Sequence, residues 1–198
     1  VRDLIKRLSK DRVIKGENEV VLADTPVKLM IKTHQLSSGT IKFESGNSMV
    51  LCYKKARYIR HKFDGKKIAI FYKFKEELNA LKEEYEDMLC ETLEEFNTTN
   101  KSIALQIVSG REGISLRKAE ALVYYNIDFS ATSYWQSRDR MTTKDRLYNK
   151  IYWIFSRTGI EKQMSKIVVK KKDYTLRHFK KDLLTLNDDR TTDTSENN

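Results

Sequence analysis

From Ile68 onward, short apolar runs alternate with stretches in which apolar residues recur every three or four positions. Lys66-Lys67-Ile68-Ala69-Ile70-Phe71-Tyr72, directly after the turn signal Asp64-Gly65, predicts a buried strand. Phe74, Leu78, Leu81, Tyr85, Met88 and Leu89 follow at helical spacing and predict a helix with one buried stripe. A short piece, Leu93-Glu94-Glu95-Phe96, leads to a strand over Ile103–Val108 and a second over Ala121–Ile127. A helix around Tyr134–Met141, a strand over Lys150–Phe155 and a helix from Ile160 to about Lys170 complete the series. Strands that alternate with helices predict an α/β fold: a parallel sheet with helices on both faces.

The first 60 residues are patterned differently. Residues 1–20 form a basic amphipathic stretch, with Leu4, Ile5, Leu8 and Ile14 set among Lys and Arg. Pro26, the one proline, predicts a helix start, with Asp24 or Thr25 as its cap and Val27, Leu29, Met30 and Ile31 inside. Thr40–Phe43 and Met49–Leu51 flank Glu44-Ser45-Gly46-Asn47, a β-hairpin signature. Tyr53 to Phe63 reads as a strongly basic helix. The expected organisation is therefore a small helical and hairpin appendage over 1–60, a main domain over 61–183 and a tail over 184–198. Rich in Asn, Asp, Thr and Ser, the tail is expected to be disordered. The sequence holds no internal repeat.

Composition narrows the class. A chain of 198 residues can bury roughly 70% of its unfolded surface and needs no staple to fold. Cys52 and Cys90 stand far apart with no histidine at ligand spacing, so they read as reduced thiols of an intracellular protein. His34, His61 and His178 have no metal-ligand spacing and receive no role, and Trp135 and Trp153 read as core. No apolar run approaches the ~18 residues of a membrane span, and no signal-peptide pattern stands at the start of the sequence. The opening residue is Val1, which points to a piece of a longer protein. The net charge is +10, and because the tail carries −3, residues 1–183 carry +13. That excess favours a polyanion, nucleic acid first, over a surface that is merely soluble.

Two segments carry candidate chemistry. Ser109-Gly110-Arg111-Glu112-Gly113-Ile114-Ser115-Leu116 follows a strand, so its amides would gather at the carboxyl edge of the sheet, where α/β proteins bind ligands. Gly110 and Gly113 would admit a phosphate close to the backbone, although a plain strand-to-helix turn has the same composition. In Gln136-Ser137-Arg138-Asp139-Arg140, Gln136 and Arg140 share a helix face, and an arginine can hold phosphate in a fork. The competing reading is a surface ion pair at Asp139. Lys170-Lys171-Lys172 and the Lys54–Lys62 helix, with Tyr53, Tyr58 and Tyr174 nearby, suit either a phosphate backbone or a solvated face.

Taken in order, these segments resemble the second RecA-like lobe of superfamily-two helicases, above all the Swi/Snf-type translocases and their phage relatives. Ile68–Tyr72 resembles the strand of motif IV, and Ser109–Leu116 resembles motif V, Gly-x-x-Gly-Ile-Asn-Leu. Gln136–Arg140 resembles the opening of motif VI, Gln-x-x-Asp-Arg-x-x-Arg. Trp153–Lys162 echoes the trailing strand and Gly-Thr-Ile-Glu-Glu helix. The match runs over about residues 60–175. The resemblance implies an ATP-dependent DNA helicase or translocase in which Gln136 and Arg140 act at the ATP phosphates, with Glu112 and Gly113 beside them. It also implies that Tyr72, Lys73, Ser109, Gly110 and Arg111 lie along the nucleic acid, and that ATP and Mg are held mainly by a first RecA-like lobe.

The chain departs from that pattern at the second motif VI arginine, where Thr143 stands and only Lys144 or Arg146 could substitute. The segment ahead of motif V is also short. Neither a Gly-x-x-x-x-Gly-Lys-Ser/Thr loop nor a magnesium-organising Asp-Glu pair occurs, so the chain alone is expected to hydrolyse no ATP. The expected partners are DNA, with RNA as the alternative, and the first lobe, with no membrane. The expected location is the cytoplasm, that of the host for a viral protein. A non-catalytic nucleic-acid-binding module and the motor lobe of a restriction or repair enzyme are the rival functions.

Overall fold

A computed structural model of the chain describes residues 1–108, 114–141, 149–157 and 159–188, with the backbone alone given for 184–188. Its centre is a five-stranded sheet of β5 (Ile68–Tyr72), β6 (Leu89–Cys90), β7 (Ser102–Gln106), β8 (Ala121–Tyr124) and β9 (Ile151–Trp153), in the order β6-β7-β5-β8-β9. Every pairing in it is parallel. The expected α/β architecture, a parallel sheet covered by helices on both faces, is the one that forms.

Period-two alternation explains why both faces need cover. In β5, Ile68 and Ile70 point to one face and Ala69 and Phe71 to the other, and all four are fully buried. Ile68 and Ile70 join Val123 in a core closed by α3 (Lys54–Lys62) and α4 (Lys75–Tyr85), through Ala56, Ile59, Leu78 and Leu81. Ala69 and Phe71 join Leu122 and Tyr124 in the larger core. Phe96 of α5 (Leu93–Thr98), Tyr134 of α6 (Ala131–Arg138), Met164 of α7 (Glu161–Val168) and Phe179 of α8 (Leu176–Asp188) close that side.

The first 60 residues contribute to the same core. Ile5 and Leu8 of α1 (Arg2–Asp11) and Leu29 and Leu36 of α2 (Pro26–Ser38) are buried in the larger cluster. Of the two candidate caps for α2, Thr25 is the one used: its Oγ1 accepts from Lys28 N at 3.2 Å. The hairpin β3 (Thr40–Lys42) and β4 (Ser48–Val50) forms as patterned. Gly39 ends α2 at φ 86°, and a Cβ there would meet the Cys52 carbonyl oxygen at 2.7 Å, so glycine is required.

Three features differ from the sequence reading. A second hairpin, β1 (Val13–Lys15) with β2 (Val20–Leu22), lies where only an amphipathic stretch was expected. The helix expected through Leu89 stops at Tyr85, and a 3-10 turn (Glu86–Met88) leaves Met88 exposed and delivers Leu89 to the edge strand β6. Glu86, at φ 50°, marks the break. Helix α8 continues through 184–188, residues that composition assigns to the tail. Residues 189–198 lie outside the described residues.

Candidate functional site

At the middle of the sheet's carboxyl edge, α2 packs on the segments that follow β5 and β8. His34 sits between the rings of Phe74 and Phe129, 5.1 and 4.9 Å between centroids, and its Nε2 meets Asn126 Oδ1 at 2.6 Å. Asn126 Nδ2 donates to Glu77 Oε1 at 2.5 Å, and Glu77 Oε2 accepts the amides of Lys73 (2.7 Å) and Phe74 (3.0 Å). His34, Asn126 and Glu77 are all fully buried. Burial pushes the His34 pKa well below the ordinary imidazole range, with the Lys73 charge adding to it, so the ring is neutral. Burial raises the Glu77 carboxyl, opposed by the Lys55 charge and by its backbone donors.

This middle section also fixes Lys73, which the resemblance places along the nucleic acid. Its ammonium pairs with Asp128 Oδ1 and lies 4.7 Å from the Phe129 ring centroid, and its side chain is 17% exposed. Asp128 is itself held by the Phe129 amide at 2.8 Å and Ser133 Oγ at 3.2 Å. Tyr72 is half-buried, and burial raises its pKa. Its carbonyl accepts from Ile107 N at 2.8 Å, which ties the ends of β5 and β7 together.

The described part of the glycine loop returns as Ile114–Leu116 and meets the end of α6, where the Leu116 amide donates to the Arg140 carbonyl. Helix α6 starts at the Ser130 cap and turns Ser133, Tyr134 and Ser137 inward. Ser137 Oγ lies 2.7 Å from Tyr124 OH, and Trp135 Nε1 donates to the Val168 carbonyl at 3.0 Å. That orientation leaves Gln136 and Arg140 on one flank, although the α-helix ends at Arg138 and Asp139–Met141 form a 3-10 turn. Together Ile114, Ser115, Gln136, Asp139 and Arg140 line an open pocket of ≈ 370 Å³. Arg140 Nε is buried without a hydrogen-bond partner among the described residues. Asp139 forms no ion pair among the described residues.

The structure therefore brings Gln136 and Arg140 to the return of the loop and sets Tyr72 and Lys73 apart at the end of β5. Ser109, Gly110, Arg111, Glu112 and Gly113 lie outside the described residues, as do Thr143, Lys144 and Arg146. A donor left without a partner beside a glutamine amide suits an anionic oxygen. Among the described residues no group of three or more His, Cys, Asp or Glu side chains could hold a metal ion. No helix among them is long and apolar enough to cross a membrane.

On the β9 side, Glu161 is fully buried and receives Lys55 Nζ at 3.0 Å and Ser156 Oγ at 3.0 Å. Lys55 Nζ also donates to the Tyr125 carbonyl at 2.7 Å. Gly159 packs so closely that an added Cβ would strike Glu161 Oε2 and Ser156 Oγ. These buried polar groups escape a sequence reading, because the partners lie 92 (His34, Asn126), 49 (Asn126, Glu77) and 106 (Lys55, Glu161) positions apart. Only Glu77 leaves a local signal, as an acid three residues after the residue that precedes a helix.

No protein-family model matches the chain, and no curated protein matches it. Among solved structures, the crystal structure of the C-terminal part of the Fun30 ATPase domain is similar to it at 15% identity and a TM-score of 0.49, covering 64% of this chain and 47% of that one. The chain thus spans about half the length of that structure.

Proposed function

We propose that the chain is the C-terminal RecA-like lobe of an ATP-driven nucleic-acid helicase or translocase, supplying one wall of an ATP site and part of the nucleic-acid track. The observation that carries this reading is the pocket where Gln136 and Arg140 meet Ile114 and Ser115, with Arg140 Nε buried and unpartnered among the described residues. In this reading Arg140 donates to a phosphate oxygen of a nucleotide gripped by the first lobe, and Gln136 orients beside it. Glu112 and Gly113 link that wall to the nucleic acid. ATP, when bound, supplies the γ-phosphoryl group whose loss lets the lobes reopen. Magnesium belongs to the first lobe.

Ser109, Gly110, Arg111 and Tyr72 are the residues proposed to meet the nucleic acid. Lys73 acts beside them through the pair with Asp128 rather than as a free cation. The net charge of +10 supports DNA or RNA as the partner. Thr143, at the position of the pattern's second arginine, favours a second reading, a binding module that has lost turnover. ATP hydrolysis by a protein carrying both lobes separates the two. Turnover stimulated by nucleic acid supports the motor, and absence of turnover with nucleic acid still bound supports the module.

A further inference from the structure

We infer that the rim beside β9 is a second nucleic-acid contact, a seat for a single-stranded segment, distinct from the track on the β7 side. It rests on the proposed function only for its choice of occupant; its location is set by side chains that reading leaves unused. In the sheet order, β9 is the edge strand and lies three places from β7.

Helix α3 supplies one wall. Ala56, Ile59 and Phe63 turn inward and are buried. Lys54, Tyr58 and Lys62, spaced four apart, form one outward stripe, and Tyr58 is 51% exposed. Most cations of this helix are already engaged: Lys55 by Glu161, Arg57 by Glu84 and Arg60 by Asp64. Lys54 and Lys62 have no acidic partner among the described residues, and neither has the exposed Arg157 on the segment after β9.

Between these walls lies a cavity of ≈ 500 Å³, whose lining includes Lys54, Tyr58, Phe155, Ser156 and Arg157. Its wall is mixed: phenol and phenyl rings to stack a base, hydroxyl and cationic groups to meet phosphate. The stripe continues past the cavity to Lys62, whose Nζ stands 5.7 Å from the Tyr58 ring centroid and 5.8 Å from that of Tyr152. Unneutralised cations interleaved with accessible aromatic rings are the pattern of single-strand binding surfaces. A free mononucleotide would fill the cavity but not the stripe, because eight residues of helix separate Lys54 from Lys62 by ~12 Å.

The test is fluorescence anisotropy of the 198-residue chain with labelled oligo-dT and oligo-U of about 15 nucleotides, across a salt series. Tyr58→Ala should raise Kd roughly tenfold. The triple variant Lys54→Gln, Lys62→Gln, Arg157→Gln should lower the slope of log K against log salt by about 2. All four side chains are exposed, so thermal unfolding should be unchanged and a folding defect would be visible. The ratio of oligo-dT to oligo-U affinity assigns the sugar. Unchanged binding in both variants overturns the site, as does full competition by AMP, which would mark a small-molecule pocket. A wild-type chain that binds no oligonucleotide overturns it too. None of these results bears on Arg140, whose part in ATP turnover is read separately.

Discussion

The backbone amide of Leu116 donates to the carbonyl oxygen of Arg140 at 3.0 Å. Leu116 and Met141, on either side of that bond, are fully buried. The return of the glycine loop and the end of α6 are therefore stapled by the hydrophobic core, and the pocket between them inherits its shape from packing. Leu116→Ala should destabilise the chain by about 2–5 kcal/mol, whereas Leu116→Met should cost under about 1.5 kcal/mol. Urea denaturation of both variants measures the difference.

The Lys55–Glu161 pair ties α3 to α7 beneath the β9 rim, with side-chain exposures of 9% and 0%. Removing one partner leaves the other charge buried alone. Glu161→Gln or Lys55→Met should each cost about 3–5 kcal/mol. The double variant Lys55→Met, Glu161→Leu should recover most of that loss, because two desolvated charges are replaced by apolar groups. A double-mutant cycle in denaturant reads the coupling directly.

Buried His34 sets a pH dependence. Its pKa in the folded chain lies well below 6.5, through burial and then the Lys73 charge, with Lys55 adding a smaller effect. As pH falls below 6.5 the unfolded chain takes up a proton that the folded chain refuses, so this contribution to stability is lost on acidification. Glu77 works the other way: its raised pKa favours the fold at low pH and weakens it as pH rises. Comparison of wild type with His34→Gln isolates the first effect. Below pH 6.5 the wild type should lose stability relative to the variant by up to about 1.4 kcal/mol per pH unit. Parallel stability curves for the two proteins would contradict the neutral, buried imidazole.

Much of this fold is legible in the sequence, because a strand buried on both faces is a continuous apolar run. Ile68–Tyr72, Ser102–Gln106 and Ala121–Tyr124 announce themselves in that way. The α2 start is equally plain, since Pro26 follows a capping threonine. What escapes is decided by distant partners. β6 has two residues and exists because Ser102 and Ile103 offer it a ladder. Helix α8 is anchored by Phe179 and by Tyr174 OH donating to Asp182 Oδ2 at 2.7 Å, neither of which a periodicity reading weighs. At the site, the proximity of Gln136 and Arg140 to the loop return follows from the order of motifs. The capture of Lys73 by Asp128, 55 positions away, and the packing of α2 on the segments after β5 and β8 do not, since both are made by partners distant in sequence.

The central claim is that Arg140 faces a nucleotide phosphate across a cleft. Its direct test is steady-state ATP hydrolysis, at saturating nucleic acid, by a protein carrying this lobe and its nucleotide-gripping partner, with Arg140 replaced by Ala or by Lys. The account predicts a fall in turnover of about 10³ or more for Arg140→Ala and only partial rescue by Arg140→Lys, which restores charge without the fork, while nucleic-acid affinity stays within about twofold. Unchanged turnover in Arg140→Ala would contradict it.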